Sequence, residues 1–278
     1  NTTSHHPELG AETTESFLLM PGMEVTTNYG HANVWGLRSW IDFRCKEPGD
    51  MERAVAEAHR QDALISVNHP HTDCPWEYGW INGFDSIEIW QGLWNEANLA
   101  AVAWWDTLLS AGMRIIGVGG SDRHEPDHYD PYFPHQVGTP TTRVLAPSLT
   151  TNDILTGIRA GHVAIAETPA GPWIEIGFRP ANGRPAIMGD SVILDPSETG
   201  VVEWSVSGAA GGTIELVLDG KVIHRAELGG GDENGELTLP AGRSRYVRAQ
   251  VVDHGPSPHV VTRYPRFRAI SNPVFFTG

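Results

Sequence analysis

The stretch Ile115-Ile116-Gly117-Val118-Gly119-Gly120-Ser121-Asp122-Arg123-His124 decides how the rest of the chain is read. A short apolar run ends in two glycines and then offers a carboxylate and an imidazole two positions apart. That is the pattern of a buried strand delivering polar groups at its C-terminal end, where barrel enzymes keep their chemistry. If the segment stays extended, Asp122 and His124 point to one side and Arg123 to the other, so the pair can face one cation. A surface loop after a strand would read the same way in isolation, and the neighbouring segments have to arbitrate.

Upstream, Asn95 is placed to cap a helix running to about Ala111 and closed by Gly112; its Leu99, Val102, Leu108 and Trp104-Trp105 are expected to pack on a sheet. Ser86-Ile87-Glu88-Ile89-Trp90 is strand-like. Ala63 to Val67 is a near-continuous apolar run of the kind covered on both faces, and it ends in Asn68-His69-Pro70-His71. Asp50 can cap a helix to about Gln61, with Met51, Ala54, Val55 and Ala58 on one buried face. Earlier still, Phe17 to Met20, Met23 to Thr27 and Gly30 to Leu37 read as short strands; Glu24 lies in the second and His31 opens the third. Strands alternating with helices predict parallel strands joined by crossover helices.

Downstream, Glu125 to Thr142 is rich in Pro, His, Asp and Tyr and reads as a loop over a site, with His128 and His135 as candidate substrate contacts. Thr151 is expected to cap a helix to Ala160, Gly161 to end it, and His162 to Ala166 to form a strand. Beyond Pro172 helical periodicity disappears. Short strands are predicted at Trp173 to Phe178, Val201 to Val206, Thr213 to Leu218, Val222 to Leu228, Glu236 to Leu239, Tyr246 to Val252 and Val260 to Arg263, with Asp219-Gly220 as a hairpin turn. The expected organisation is an α/β part over 1–170 and a β-sandwich over 171–278 that carries no chemistry.

Composition narrows the function. The 278 residues suffice for a substantial core, and 40% hydrophobic with 19% charged residues is globular rather than disordered. Net charge is −15, and of 19 basic residues only Lys46 and Lys221 are lysine, so no basic track exists for a phosphate backbone and nucleic acid is discounted as a partner. No apolar run approaches the roughly 20 residues needed to span a bilayer. Cys45 and Cys74 are too few for a disulfide framework and form no CxxC pair.

Taken together, Glu24, His31, His69, Asp122 and His124 stand at strand ends or in strand-like segments, and nine of the thirteen histidines precede Gln136. Imidazole nitrogen with carboxylate oxygen suits zinc, manganese or iron, whereas calcium or magnesium would call for mostly oxygen. A carboxylate such as Glu24 can bridge two ions. Water on such ions loses a proton near neutral pH, and the chemistry that follows is hydrolysis.

Pro21-Gly22-Met23-Glu24, Gly30-His31-Ala32-Asn33, Asn68-His69-Pro70 and Gly120-Ser121-Asp122-Arg123-His124 resemble the successive motifs of the polymerase and histidinol phosphatase (PHP) superfamily of metal-dependent hydrolases. The run from Ala160-Gly161-His162 through Glu167-Thr168-Pro169-Ala170-Gly171-Pro172 is similar to the branch named after the bacterial carbaryl hydrolases CehA and McbA. The resemblance covers about residues 1 to 175. It implies a distorted (β/α)7 barrel holding two or three divalent ions at its C-terminal mouth, with Glu24 bridging, His31 and His69 binding one ion, and Asp122 and His124 completing the set. Glu24, Asp122 and His124 would then be catalytic. Family members begin with an HxH strand and an Asp-His pair, and neither is present here. The resemblance therefore implies a partial barrel whose N-terminal segment is supplied in cis or as a separate chain. An unpaired barrel edge would favour self-association into a homo-oligomer.

Three functional classes follow for a small-molecule substrate. The leading one is a metal-dependent phosphoesterase, for which Arg123, Arg143 and His71 are the candidate substrate contacts. The second is a carbamate or carboxylic ester hydrolase, for which Trp76, Tyr78, Trp80 and Trp94 could form an aromatic mouth. The third is a non-catalytic binding module with an incomplete metal site.

Overall fold

The computed structural model describes residues 6–124, 136–195, 197–209, 211–241, 243–253 and 265–277. These form a mixed α/β chain with seventeen strands and four helices among the described residues. The first half contains helix α1 (His6–Glu12), strands β1 (Gly22–Thr27) and β2 (Gly30–Trp35), α2 (Pro48–Arg60), β3 (Leu64–Val67), β4 (Ser86–Gln91), α3 (Glu96–Ser110) and β5 (Ile116–Gly120). The five strands make one open sheet in the order β1-β2-β3-β4-β5. Only β3, β4 and β5 run parallel; β1, β2 and β3 pair antiparallel, so the predicted crossovers account for part of the sheet. A closed barrel is not shown. Phe17 to Met20 is not a strand: Phe17 makes only an isolated bridge to Thr14 and is exposed. A short helix, α1, opens the described residues at His6.

Register explains why one face of this sheet is polar. Met23 sits opposite Val34, Val25 opposite Ala32, Ala32 opposite Val67, and Val67 opposite Ile87. Because side chains alternate across a strand, these lie on one face. That face is covered by Met51, Ala54, Val55 and Ala58 of α2 and by Trp105, Leu108 and Leu109 of α3 in a single core. Glu24 is opposite Asn33, Asn33 opposite Ser66, and Ser66 opposite Ser86, so Glu24 and Glu88 belong to the other face. Further along the same face Leu64, Ile116 and Val118 pack under Leu155 and Ile158 of α4 (Thr151–Ala160). The polar part of the face is thus left at one end of the sheet.

The helix termini follow from their caps. Asn95 accepts the Asn98 amide at the start of α3, as expected. The caps of the other two shift slightly: Glu47 and Asp50 form a reciprocal capping box on α2, and Thr150 rather than Thr151 caps α4. Gly161 ends α4 at φ 79°, and a Cβ there would meet Gly189 Cα at 2.8 Å, so both conformation and space require glycine.

The second half adds β6 (Thr141–Val144), β7 (Val163–Ala166), β8 (Trp173–Pro180), β9 (Ala186–Ile187), β10 (Ser191–Ile193), β11 (Thr199–Ser207), β12 (Thr213–Leu218), β13 (Lys221–Glu227), β14 (Glu233–Pro240), β15 (Tyr246–Asp253), β16 (Arg266–Ser271) and β17 (Val274–Thr277). They form an eight-stranded sheet, β10-β17-β15-β16-β7-β6 with β12 and β13 branching from β15, and a four-stranded sheet, β14-β11-β8-β9. Ile174, Ile176 and Phe178 of β8 and Val202, Trp204 and Val206 of β11 share one core with Ile214, Leu216, Val247, Ala249 and Val251 of the larger sheet. The expected strand at Val260 to Arg263 lies outside the described residues.

Residue 170 does not separate the hydrogen bonding. β7 pairs antiparallel with β16, Ala166 opposite Ala269, and carries β6 with it. Tyr246, Val252, Phe267, Ile270 and Phe275 also join the core beneath the five-stranded sheet. The outer edge of β5 is covered by side chains. Thr142 bonds both the amide and carbonyl of Gly119, and Asn272, buried, does the same for Gly117 while reaching Val163. No helix among the described residues is long and apolar enough to cross a membrane.

Candidate metal centre

Three of the five expected ligands converge. Glu24 from β1, His31 from β2 and His69 just beyond β3 are brought together by the antiparallel β1-β2-β3 pairing. Glu24 Oε1 lies 3.0 Å from His31 Nδ1 and 3.7 Å from His69 Nε2, and the two ring nitrogens are 3.2 Å apart. Among the described residues they form the one group of three His, Cys, Asp or Glu with donor atoms this close. Ligand atoms about 2.0–2.1 Å from a tetrahedral zinc ion stand about 3.3 Å from one another. The observed spacings bracket that value, so the donor set fits a transition-metal ion in both chemistry and size.

The three side chains are held from behind. Thr72 Oγ1 donates to the His69 carbonyl (3.1 Å) and lies 3.0 Å from His69 Nδ1. When the hydroxyl proton goes to the carbonyl, Nδ1 is the donor to Thr72, and the neutral ring then turns its Nε2 lone pair to the cluster. Thr26 Oγ1 donates to Glu24 Oε2 at 2.8 Å, and Asn68 Nδ2 approaches Oε1 at 3.4 Å. Burial alone would raise the Glu24 pKa, but hydrogen bonds from His31, His69 and Thr26 more than reverse it and hold the carboxylate far below its usual range. For His69, burial works against the charged ring, yet Glu24 and the charges of Glu88 and Asp122 shift its pKa upward overall. Two polar atoms on this face, Asn68 Oδ1 and Ser86 Oγ, are buried without a partner.

Asp122 and His124 stand beside the cluster rather than in it. Asp122 has φ 47°, so the chain turns there and the alternation expected of an extended segment does not decide where its side chain goes. Its Oδ1 nonetheless lies 3.8 Å from His124 Nε2, and its Oδ2 accepts Gln91 Nε2 at 2.8 Å. The His124 side chain is 80% exposed, against 5% for His69.

Glu88 was not singled out by the sequence and is the main addition. It is 6% exposed, and its Oε2 accepts the backbone amide of His69 at 2.9 Å. Burial, with the charges of Asp122 and Glu24, pushes its carboxyl up to about 8 against the opposing His69 contacts. The available signal was a carboxylate alternating with apolar residues in a strand otherwise fully buried.

The candidate substrate contacts divide. Arg143 in β6 spends its guanidinium on the carbonyls of Pro169 and Gly171 (2.8 and 2.9 Å) and lies over the Trp173 ring. Arg123 is half-buried next to Asp122. His71 packs edge-on against Trp104, which also meets Trp80, and burial lowers the His71 pKa. Of the proposed aromatic mouth, Tyr78 and Trp94 are core residues, Trp94 stacking on Phe267, whereas Trp76 and Trp80 are only partly buried. His128 and His135 lie outside the described residues. Comparison with protein-family models and with curated proteins found no match for the chain.

Proposed function

We propose that this protein is a metal-dependent hydrolase of small molecules, with phosphoesters as the leading substrate class. The observation that carries the reading is the Glu24–His31–His69 cluster, with donor spacings of 3.0, 3.2 and 3.7 Å on the polar face of the sheet. In this reading the five-stranded sheet is an incomplete PHP-like barrel, and the β-rich half is a β-sandwich. Glu24, His31 and His69 hold a zinc, manganese or iron ion, and Asp122 and His124 complete the centre for a second or third. A bound ion of this kind lowers the pKa of water towards neutrality and polarises an ester oxygen. Thr26 and Thr72 fix the ligands, and Glu24 keeps its negative charge. Arg123, adjacent to Asp122 in the chain, is the basic contact for a phosphoryl oxygen in this reading. The second reading, a carbamate or carboxylic ester hydrolase, is favoured by the engagement of Arg143 with backbone carbonyls, which withdraws one anion anchor.

The test is metal content and hydrolysis measured together. The wild type, H31A, H69A and D122A variants are assayed with defined Zn2+, Mn2+ and Fe2+ on bis-p-nitrophenyl phosphate, p-nitrophenyl phosphate and an aryl carbamate. H31A and H69A are expected to lose metal and turnover together. Metal binding without turnover on any substrate would favour the binding-module reading, and no metal bound by the wild type would end both enzymatic readings.

A further inference from the structure

His69 is held in a backbone conformation that a histidine seldom adopts. Its φ is 23°, one of four positive values at non-glycine residues among those described, and it turns the chain two residues beyond β3. Such a turn persists only where its surroundings over-determine it. One partner is Thr72, on the ring. The other is the Glu88 carboxylate, which reaches across from the neighbouring parallel strand to the His69 amide. The β3–β4 register, Val67 opposite Ile87, already brings Glu88 alongside this turn, and the β4–β5 register shifts immediately after Glu88: Glu88 pairs with Val118, whereas Trp90 pairs with Gly119. A bulge of this kind re-aims a side chain.

The second oxygen of Glu88 explains a glycine in the opening motif. A Cβ on Gly120 would stand 2.9 Å from Glu88 Oε1, closer than real Cβ contacts allow. Gly120 is not among the residues with positive φ, so its lack of a side chain answers to space, not to conformation. We propose that Glu88 is a positioning residue of the metal centre, holding the turned His69 backbone so that Nε2 meets Glu24 and His31, and that Gly120 is glycine to leave room for this carboxylate. This rests on the metal reading above.

The link between the two residues makes the proposal testable by a double-mutant cycle in the full chain, with Zn2+ affinity read by competition with a chromophoric chelator. E88A is expected to bind Zn2+ about 10–100-fold more weakly, the range seen when a supporting partner of a metal ligand is removed. E88Q, whose amide oxygen still accepts the His69 amide, should stay within about threefold of wild type. G120A should weaken binding as E88A does by displacing the carboxylate, and adding G120A to E88A should cost nothing more. Amide exchange at His69 is followed in parallel without metal: fast in E88A and G120A, protected in E88Q and wild type. Wild-type affinity and protection in E88A, or full additivity of the two substitutions, would overturn the role of Glu88. A wild type that binds no Zn2+ would overturn the metal reading itself and Glu88's service to it, and the exchange data would still report whether Glu88 holds the turn.

Discussion

Replacing Asp106 by alanine should destabilise the protein more than most single substitutions in it. Asp106, on α3, accepts Arg248 Nε and Nη2 from β15, both at 2.8 Å, and the Tyr246 hydroxyl at 2.7 Å. The Arg248 side chain is 3% exposed and lies over the Trp105 ring; its remaining Nη1 bonds Gln250, which in turn bonds Glu215. Burial disfavours the Arg248 charge and Asp106 offsets that cost, raising the pKa overall; the guanidinium stays protonated whether or not its partner is present. D106A strands a desolvated cation, a loss of roughly 3–5 kcal/mol. At about 2 °C per kcal/mol for a chain of this length, Tm should fall by about 6–10 °C. Removing both charges in D106A/R248M should recover at least half of the loss, because the stranded charge, not the missing bond, dominates the cost. Thermal unfolding followed by near-UV circular dichroism reads both. A D106A midpoint within about 2 °C of wild type, or a double variant no better than the single one, would refute the reasoning.

Other expectations are smaller in scale. T72V should weaken Zn2+ binding by about tenfold with little change in Tm, because His69 loses the partner that fixes its tautomer; unchanged affinity would remove Thr72 from the site. R143A should cost about 1–2 kcal/mol of stability through its lost bonds to Pro169 and Gly171 and leave KM alone. A large rise in KM with stability intact would return Arg143 to the substrate. Cys45 is buried, and burial with the charges of Asp50 and Asp42 pushes its thiol up to about 11. Its thiolate is on the order of a thousandth of the population at pH 8, so iodoacetamide should label Cys74 in the native protein and Cys45 only after denaturation. Equal native labelling, read by peptide mass spectrometry, would contradict this.

What the sequence determined by itself is local. The periodicity of Met51, Ala54, Val55 and Ala58, the Asn95 cap, the Gly161 terminus and the Asp219-Gly220 turn all act within a few residues, and each is where its pattern placed it. Glu24, His31 and His69 were legible as candidate ligands because each stands in or just beyond a recognisable strand. Strand direction and partnership were not legible, because they depend on segments far apart in the chain. Alternating elements suggested parallel strands, but β2 runs antiparallel to β3, and it is this pairing that folds Glu24 and His31 back onto His69. The break at residue 170 was read from a change of periodicity, and nothing local could indicate that β7 would pair with β16 a hundred residues later. Asp122 took a positive φ that an extended reading could not anticipate. Glu88 became visible only once a parallel neighbour set its carboxylate against the His69 amide and the bare Cα of Gly120, contacts made by packing between strands and written in no short stretch of sequence.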